Sequence, residues 1–441
     1  RDVSRLCQAK HSRDTSRHNM VGSSAMEPEN APHQRSIPLW RNPNFLLLWS
    51  GQMVSLTGTG ISQLAYPLLT LTLTHSPAQA GFVGALRGLS FIVLSLPAGA
   101  LVDRWNRKQV MIICDIGRGL AMASIPVAFL IGHLTIAQLY VTTLLEGSLF
   151  TFFTAAETAI LPHIVAREQI GAAVSQNEAT ISFTLLVGPL LGGVLYGIAR
   201  LLPFLADAIS YGVSAISLVL IRTTMQKETM ENKEQSTATN LWMEIGEGLH
   251  WLWQQPLIRY LALLTGYVNM ILVSAELVVI VIAQQQHASS AFIGVIFAIG
   301  GIGSVVGAAL SAPVQKILRV GQIAIITIWL ITLFWSLFAV AVNPFLLAII
   351  FACFTLVGPI YNVMQYSYRV IQIPDELQGR VNSSYRLVSV GLQPLGYALT
   401  GVLLQRFGPL ITLLVFAVGL LVLAVVTTAN SHIRHAHTSM L

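Results

Sequence analysis

Twelve long apolar stretches are the feature that most limits what this chain can fold into. Each has the roughly 20 residues that a helix needs to cross the hydrocarbon core of a bilayer. Only 10% of the 441 residues are charged, against about 25% in soluble domains, which is too few to cover a soluble surface of this size. We therefore predict an all-α membrane protein with twelve transmembrane helices. The stretches are 45–73, 79–101, 110–131, 136–161, 174–198, 201–221, 257–284, 290–314, 320–342, 344–368, 383–405 and 409–429.

The connections between these stretches divide the chain into two groups of six. Most are very short, and only residues 222–256 form a long connection, between the sixth and seventh stretches. Its second part carries Trp242, Ile245, Leu249 and Trp253 at helical spacing, which predicts a helix lying at the membrane interface. The predicted order is a disordered cytoplasmic tail, a six-helix bundle, a cytoplasmic linker with this helix, a second six-helix bundle and a cytoplasmic tail, over residues 1–43, 44–221, 222–256, 257–430 and 431–441.

The two groups of six are copies of one another. A shift of 208 residues brings Gly99-Ala100 onto Gly307-Ala308 and Lys108 onto Lys316. Such a parallel repeat predicts two pseudo-symmetric bundles with a substrate site at the membrane midplane between them. The same shift brings Glu168, Gly171, Ser175 and residues 191–195 onto Glu376, Gly379, Ser383 and residues 399–403.

Lys and Arg are concentrated on one side of the predicted bundles. If the N-terminus is cytoplasmic, the Lys and Arg residues of the external loops are only two, Arg200 and Arg406. Because positive residues favour the cytoplasmic side, we predict a multi-pass protein of the inner (plasma) membrane with both termini inside. The same spread over short loops argues against nucleic acid as a partner of this chain. Since the chain starts at Arg1 while Met20 and Met26 are internal, we expect part of the polar tail to precede the natural start.

A charged motif connects the second and third predicted spans. Basic residues alone would only set the topology, but an acid beside arginines in a tight turn indicates an ion pair that can form and break. A glycine before it allows close helix approach. The second-half copy has Ser311 and Ala312 in place of the Asp and the first Arg, so only the first half carries the full motif. The motif runs Gly99-Ala-Leu-Val-Asp103-Arg104-Trp-Asn-Arg107-Lys108.

The fifth predicted span carries a second motif, Gly188-Pro189-Leu-Leu-Gly192-Gly193. Pro189 removes one helix hydrogen bond, and the glycines let another helix approach closely. These properties fit an ordinary kinked helix contact as well as a specialised element, so the residues alone leave both interpretations open.

The motif at 99–108 resembles the signature loop of the major facilitator superfamily, and the resemblance covers roughly residues 40–430. It implies that this loop holds the cytoplasmic gate shut against the eleventh span. Glu157, on the fourth span, either pairs with Arg104 or Arg107 as part of this gate or makes a simple interfacial ion pair. The fifth-span motif is similar to that of drug–proton antiporters, with Thr184 in place of an earlier Gly, and so implies export. The pattern most resembles the branch with macrolide efflux pumps and the enterobactin exporter.

Ionisable side chains inside a span are costly and are therefore candidates for function. Glu146 and Glu276 lie within the fourth and seventh spans, and we predict that they couple protons or bind cargo. The alternative is a buried, hydrogen-bonded carboxyl at each position. Other polar or aromatic residues share a face with these acids or lie on spans that the resemblance places at the cavity. The predicted cavity-lining residues are Gln52, Gln63, Phe150, Phe153, Asn269, Tyr361, Asn362 and Gln365.

Two further pairs of charged residues lie inside spans. Asp115 and Arg118 are i,i+3 neighbours in the third span, so we predict that they form a structural ion pair. Arg87 and Asp207 are predicted in the outer half of the second and sixth spans. They either pair with each other or serve the outer gate, and no sequence feature decides.

The sequence contains no P-loop pattern and no His-Glu-x-x-His, Cys-x-x-Cys or Gly-x-Ser-x-Gly pattern. We therefore predict no enzyme, no cofactor and no metal site. The predicted function is a monomeric, lipid-embedded secondary transporter that exports small hydrophobic or cationic compounds by alternating access, in exchange for protons. One alternative is an exporter dedicated to a siderophore or other metabolite, which would show a narrow inhibition profile. Another is a non-transporting membrane sensor or assembly partner, which would tolerate neutralisation of Asp103, Glu146 and Glu276 together.

Overall fold

The computed structural model describes residues 38–221, 238–374 and 377–434, and these residues are helical almost throughout. The two tails and the first part of the 222–256 linker lie largely outside the described residues. Within the described ranges the helices are α1 (Pro43–Thr74), α2 (Pro77–Val102), α3 (Arg107–Leu130), α4 (Ile136–Ile164), α5 (Ile170–Ile198), α6 (Leu202–Leu220), α7 (Ala238–Gln254), α8 (Pro256–Gln285), α9 (Ser290–Ile317), α10 (Val320–Leu337), α11 (Pro344–Gln372), α12 (Gln378–Gly391), α13 (Gln393–Ala429) and α14 (Ser431–Arg434).

Short polar side chains begin many of these helices. Asn42 accepts hydrogen bonds from the backbone N–H groups of Asn44 and Phe45, and Ser76 accepts one from Gln79. Such caps satisfy donors that have no partner in the first helical turn. Proline directly follows the cap in α1, α2 and α11, where its missing N–H costs nothing. The sequence therefore specifies these helix starts locally.

The described helices cross the membrane twelve times. Ten segments are long and apolar enough to span a bilayer, and one of them, residues 378–429, has 52 residues. It is broken at Gly408, which has a non-helical backbone with φ of 75° and is followed by Pro409, so it crosses twice. The uncharged, 32-residue α1 adds the twelfth crossing. The predicted twelve-helix membrane architecture is confirmed.

The crossings form two six-helix bundles. In the first, α1 packs against α5 and α6, α2 against α4, and α3 against α4 and α6. In the second, α11 packs against α9 and α10, and α13 packs against α8 and α10. The bundles meet along two seams, α2 with α13 and α5 with α9. We call the end of the bundles that carries Asp103 the motif side, and the opposite end the seal side.

Glycines bring the two bundles into backbone contact on the seal side. A Cβ on Gly401 of α13 would lie 2.6 Å from the carbonyl oxygen of Pro77 and 3.0 Å from the Cα of Gly81 on α2. At the other seam, a Cβ on Gly193 of α5 would lie 2.8 Å from the Cα of Gly294 on α9. Only glycine permits such close approach, so the seal side is closed.

On the motif side the bundles stand apart. Asp103 is 68% exposed, and Trp105 beside it is 51% exposed. A Cβ on Gly99 or on Gly171 would meet nothing within 4 Å. The close approach that the sequence predicts at Gly99 is therefore not made in this structure. The cleft between the bundles opens toward the motif side.

Helix α7 contains the second part of the linker and packs on the motif-side end of the second bundle. A Cβ on its Gly248 would lie 2.5 Å from the carbonyl oxygen of Arg380 on α12, and Glu247 pairs with the Arg380 guanidinium at 2.7 Å. Leu252 is fully buried against α8 and α12. The predicted linker helix is thus present; its position relative to the membrane interface stays a prediction.

Candidate functional site

A layer of polar residues crosses both bundles at one depth. Arg87 and Glu146 each lie ten residues from the start of α2 and α4, and Glu276 lies nine residues before the end of α8. Tyr397 lies eleven residues before the break at Gly408. At about 1.5 Å per residue these positions are about 15 Å from the seal side, near the centre of a bilayer core about 30 Å thick.

Glu146 is paired inside the first bundle. Its side chain is 1% exposed, and its Oε2 lies 3.1 Å from Nε of Arg87. Nη2 of Arg87 donates to Oε1 at 3.3 Å, and the hydroxyl of Tyr211 donates to the same oxygen at 3.5 Å. The Tyr211 hydroxyl also lies 2.9 Å from that of Thr59. The fourth-span acid is therefore neutralised by a cation and held by three helices.

A second ion pair in the same bundle is more completely buried than the first. Arg118 and Asp115 are both on α3, and their side chains are 2% and 0% exposed. The guanidinium of Arg118 lies 4.5 Å from the ring centroid of Phe153 and 4.4 Å from that of Tyr211. These rings shield the pair from lipid and add cation–π attraction. The predicted i,i+3 contact is thus seen in the structure, enclosed by aromatic side chains.

Asp207 does not pair with Arg87, contrary to one of the two interpretations offered by the sequence. It is fully buried on α6, where it accepts hydrogen bonds from the hydroxyls of Ser62 at 2.5 Å and Ser210 at 3.3 Å. Arg87 instead turns toward Glu146, because α2 packs against α4. Asp207 therefore joins α1 to α6 through hydroxyl groups.

Glu276 connects the second bundle to the seam between the bundles. The hydroxyl of Tyr397 on α13 donates to its Oε2 at 2.7 Å. The ring of Tyr397 packs on Gly84 of α2, where an added Cβ would lie 2.7 Å from Cδ1. In the part of the chain that the structure describes, no basic side chain lies within ion-pair distance of Glu276. This acid therefore touches a residue that itself forms part of the closed seal.

The predicted cavity-lining residues divide by exposure. Phe153 and Tyr361 are each 1% exposed, and the Tyr361 hydroxyl lies 2.9 Å from that of Thr265, so both belong to bundle interiors and do not line the cavity here. Gln63 and Asn362 are exposed. The rest are buried or half-buried: Gln52, Phe150, Asn269 and Gln365, of which Asn269 donates to the carbonyl of Ser389 at 2.8 Å.

The predicted gate residues lie on the open motif side. Asp103 pairs with Arg107 at 3.7 Å, and Arg107 also donates to the carbonyl of Ala159 at 2.9 Å. Lys108 donates to the carbonyls of Val219 and Ile221 at the end of α6. Basic side chains at helix C-termini satisfy carbonyls that lack helical partners. The motif therefore binds its own bundle in this structure.

Arg104 and Glu157 have no ion pair within the described ranges. Arg104 is exposed and Glu157 is half-buried. The predicted contact of Glu157 with Arg104 or Arg107 is therefore not made here, because Arg107 reaches Asp103 and the carbonyl of Ala159 instead.

The fifth-span glycines lie at helix crossings. A Cβ on Gly188 would lie 2.8 Å from the Cα of Gly60, and one on Gly192 would lie 2.5 Å from the carbonyl oxygen of Ile61, both on α1. Gly193, in contrast, faces α9 across the seam. The motif thus holds α5 against its own bundle and against the other. Pro189 lies between these crossings, with its carbonyl oxygen against Gly294 of α9.

Sequence reasoning missed the partners that lie on other helices. Tyr211, Tyr397 and Arg386 carried no signal that separates them from other aromatic or basic residues of the spans. Arg386 on α12 faces α2 across the cleft, with its guanidinium 4.9 Å from the ring centroid of Phe91. No cluster of three or more His, Cys, Asp or Glu residues suited to a metal ion occurs among the described residues.

A model described as the Major Facilitator Superfamily matches residues 48–396, most of the chain. The chain belongs to this superfamily. The predicted family is confirmed, and with it a multi-pass membrane transporter of small molecules rather than an enzyme. The superfamily contains the enterobactin exporter EntS of Salmonella typhi, which is 25% identical to this chain over 385 residues, covering 87% of this chain and 91% of EntS.

Solved structures show the same fold. A bacterial homologue of the iron transporter ferroportin in its inward-facing state superposes with a TM-score of 0.66 at 16% identity, over 89% of this chain and 99% of that one. The outward-facing state of a bacterial ferroportin homologue superposes with a TM-score of 0.56 at 16% identity, over 87% of this chain and 98% of that one.

Proposed function

We propose that this transporter exports small hydrophobic or amphiphilic compounds across the inner (plasma) membrane, driven by proton entry. The excess of Lys and Arg on the motif side supports a cytoplasmic location for that side and for both termini. The open cleft then faces the cytoplasm, as an exporter requires when it loads cargo. Rocking of the bundles opens the seal side and closes the motif side.

The observation that carries the proton-coupling proposal is the placement of Glu276. Its hydrogen-bond donor, Tyr397, packs on α2 across the seam, so opening of the seal must move the environment of this carboxyl. An acid near the bilayer centre is costly to keep charged when no ion pair compensates it, and no described basic side chain lies within ion-pair distance of Glu276. Proton binding removes that charge. Glu146 differs because Arg87 compensates it within one bundle. We therefore assign the moving proton to Glu276 and a positioning role to Glu146.

The test uses inverted membrane vesicles with a pH-sensitive dye and a panel of neutral and cationic drugs. We expect cargo to release protons from the lumen of wild-type vesicles. Glu276→Gln should abolish this release and leave cargo exchange without a pH gradient intact. Glu247→Gln, which changes an exposed acid on α7, is the matched control and should behave as wild type. Undiminished proton release in Glu276→Gln would remove the coupling role from this residue.

A second candidate is an exporter dedicated to a siderophore. It is favoured by the similarity to the enterobactin exporter EntS, which extends over 87% of this chain. The same vesicle assay, with a siderophore panel tested beside the drugs, separates the two candidates. Proton release driven by a single siderophore, with no response to any drug, would favour the dedicated exporter. Responses to many unrelated drugs would favour multidrug efflux.

A further inference from the structure

A cavity of about 180 Å³ opens in the cleft between α2 and α12, on the motif side of the seal. One wall is aromatic and apolar, the other carries a cation, and each helix adds one serine hydroxyl. None of the lining residues is acidic. They are Phe91, Ile92 and Ser95 from α2, and Ser383, Arg386, Leu387 and Val390 from α12.

Arg386 differs from the arginines of this chain that form ion pairs. Arg87, Arg107, Arg118 and Arg380 each lie beside a carboxylate. Arg386 has no ion pair with any residue that the structure describes, and its guanidinium lies over the ring of Phe91 instead. Cation–π attraction keeps it extended across the cleft. Arg386 is exposed to the open cleft, so an anion that enters the cleft can reach its guanidinium without displacing a carboxylate.

We propose that this cavity is the subsite for an anionic, aromatic group of the cargo, with Arg386 as the residue that binds the anion. The inference rests on the proposed export function and names the chemistry of part of its cargo. An aryl carboxylate, sulfonate or phosphate fits, because the planar guanidinium can make paired hydrogen bonds to its oxygens. Phe91 offers a stacking surface for the ring.

The size of the cavity limits what it holds. Pockets that enclose a whole drug-sized ligand have volumes of roughly 300–1,000 Å³. At about 180 Å³ this cavity accommodates one substituted ring system, with the remainder of the cargo in the open cleft. The guanidinium of Arg386 also makes this wall of the cleft positive. Binding of cationic cargo, which the sequence leads us to expect, would require a negative wall.

The experiment measures binding of 2-naphthalenesulfonate and of its neutral analogue 2-naphthalenemethanol to the purified full-length protein in a non-ionic detergent. The wild type should bind the sulfonate at least tenfold more tightly than the neutral analogue. Arg386→Gln should weaken sulfonate binding at least tenfold, about 1.4 kcal/mol, and leave the neutral analogue unaffected. Arg386→Lys should retain part of the affinity because it keeps the charge and loses the planar fork.

Arg380→Gln is the matched control, since it makes the same change on the same helix at a residue that faces Glu247 of α7. It should bind the sulfonate as the wild type does. Equal affinities of the wild type for sulfonate and neutral analogue would overturn the proposal without any variant. Unchanged sulfonate affinity in Arg386→Gln, or an equal loss in Arg380→Gln, would overturn it as well.

An anionic lipid headgroup shares this chemistry, so binding is repeated in nanodiscs of phosphatidylcholine with and without phosphatidylglycerol. Equal sulfonate affinity in both supports a cargo subsite, whereas competition by phosphatidylglycerol would assign the cavity to lipid and overturn the cargo assignment. Proton-coupled transport that survives while sulfonate binding fails would overturn this inference alone. Arg386-dependent sulfonate binding without any transport would instead leave the subsite and contradict the export function.

Discussion

Gly81 and Gly401 bring the backbones of α2 and α13 into contact, at a crossing where a Cβ on Gly401 would lie 3.0 Å from the Cα of Gly81. Gly193 precedes Gly401 by 208 residues, the period of the sequence repeat, and makes the equivalent contact with Gly294. Gly81 and Gly294 are each the fifth residue of their helices. The repeat therefore builds the seal twice, once at each seam.

A larger side chain at this crossing should hold the seal open. We expect Gly401→Val to favour the conformation that is open on the seal side, because the added atoms overlap backbone that cannot move aside. A clash of about 2.8 kcal/mol changes the ratio of the two conformations about 100-fold. Spin-label distances across each side of the protein, in detergent, measure the shift. Gly212→Val is the control, since a Cβ there meets nothing within 4 Å, and it should leave both distances unchanged. Wild-type distances in Gly401→Val would contradict the role of this seam.

The buried pair Asp115–Arg118 should matter for stability. Arg118→Leu leaves the carboxylate of Asp115 buried without a partner, which costs about 3–5 kcal/mol in comparable buried pairs. We expect a clear loss of thermal stability in detergent. The double variant Asp115→Asn with Arg118→Gln should recover a large part, because no charge is then left unpaired. A double variant as unstable as Arg118→Leu would show that packing of the long side chain, not charge, dominates.

The sequence predicts contacts between residues that are close together along the chain, and it does not predict contacts between residues that are far apart along it. The spans follow from apolar length, and the Asp115–Arg118 contact follows from helix geometry, since both residues are on α3. The partner of Glu146 could not be predicted, because Arg87 is 59 residues away and meets it only through the packing of α2 on α4. The same holds for Glu276 and Tyr397, which are 121 residues apart.

The rotation of each helix about its own axis is a second property that the sequence does not predict. Phe153 shares a face with Glu146, and the sequence therefore placed it at the cavity, yet it packs on Arg118 inside the bundle. A membrane helix is apolar on nearly all sides, so its pattern does not show which face meets protein, lipid or cavity. Arg386 carries no such pattern either, because what separates it from the paired arginines is that no carboxylate of the described residues lies within ion-pair distance.

Asp103 offers a test that separates function from folding. In this structure it is 68% exposed, and among the described residues its ion-pair partner is Arg107, so Asp103→Asn should change stability by no more than about 1 kcal/mol. If the motif locks the motif side in the opposite conformation, as the superfamily resemblance implies, the same variant should lower the transport rate at least tenfold. Thermal unfolding and vesicle transport, measured on the same preparation, check both expectations. Full transport activity in Asp103→Asn would contradict a locking role.

The hydrogen bond from Tyr397 to Glu276 should influence the transport rate more than the fold. Tyr397→Phe keeps the ring that packs on Gly84, so the seal should persist, but it removes the hydroxyl donor. Hydrogen bonds to charged groups are worth about 1.5–3 kcal/mol, enough to change a step that makes or breaks this contact about tenfold or more. We expect the maximal rate of cargo-driven proton release to fall by about this factor, with little change in thermal stability.

Tyr196→Phe is the matched control for this substitution. Tyr196 is also a buried membrane tyrosine, and its hydroxyl lies 2.9 Å from that of Thr72, away from both carboxylates of the midplane layer. Equal losses of rate in the two variants would mean that any lost tyrosine hydroxyl slows the protein. A loss confined to Tyr397→Phe ties the rate to Glu276, because this hydroxyl is the side-chain donor that the carboxylate has in the closed-seal conformation.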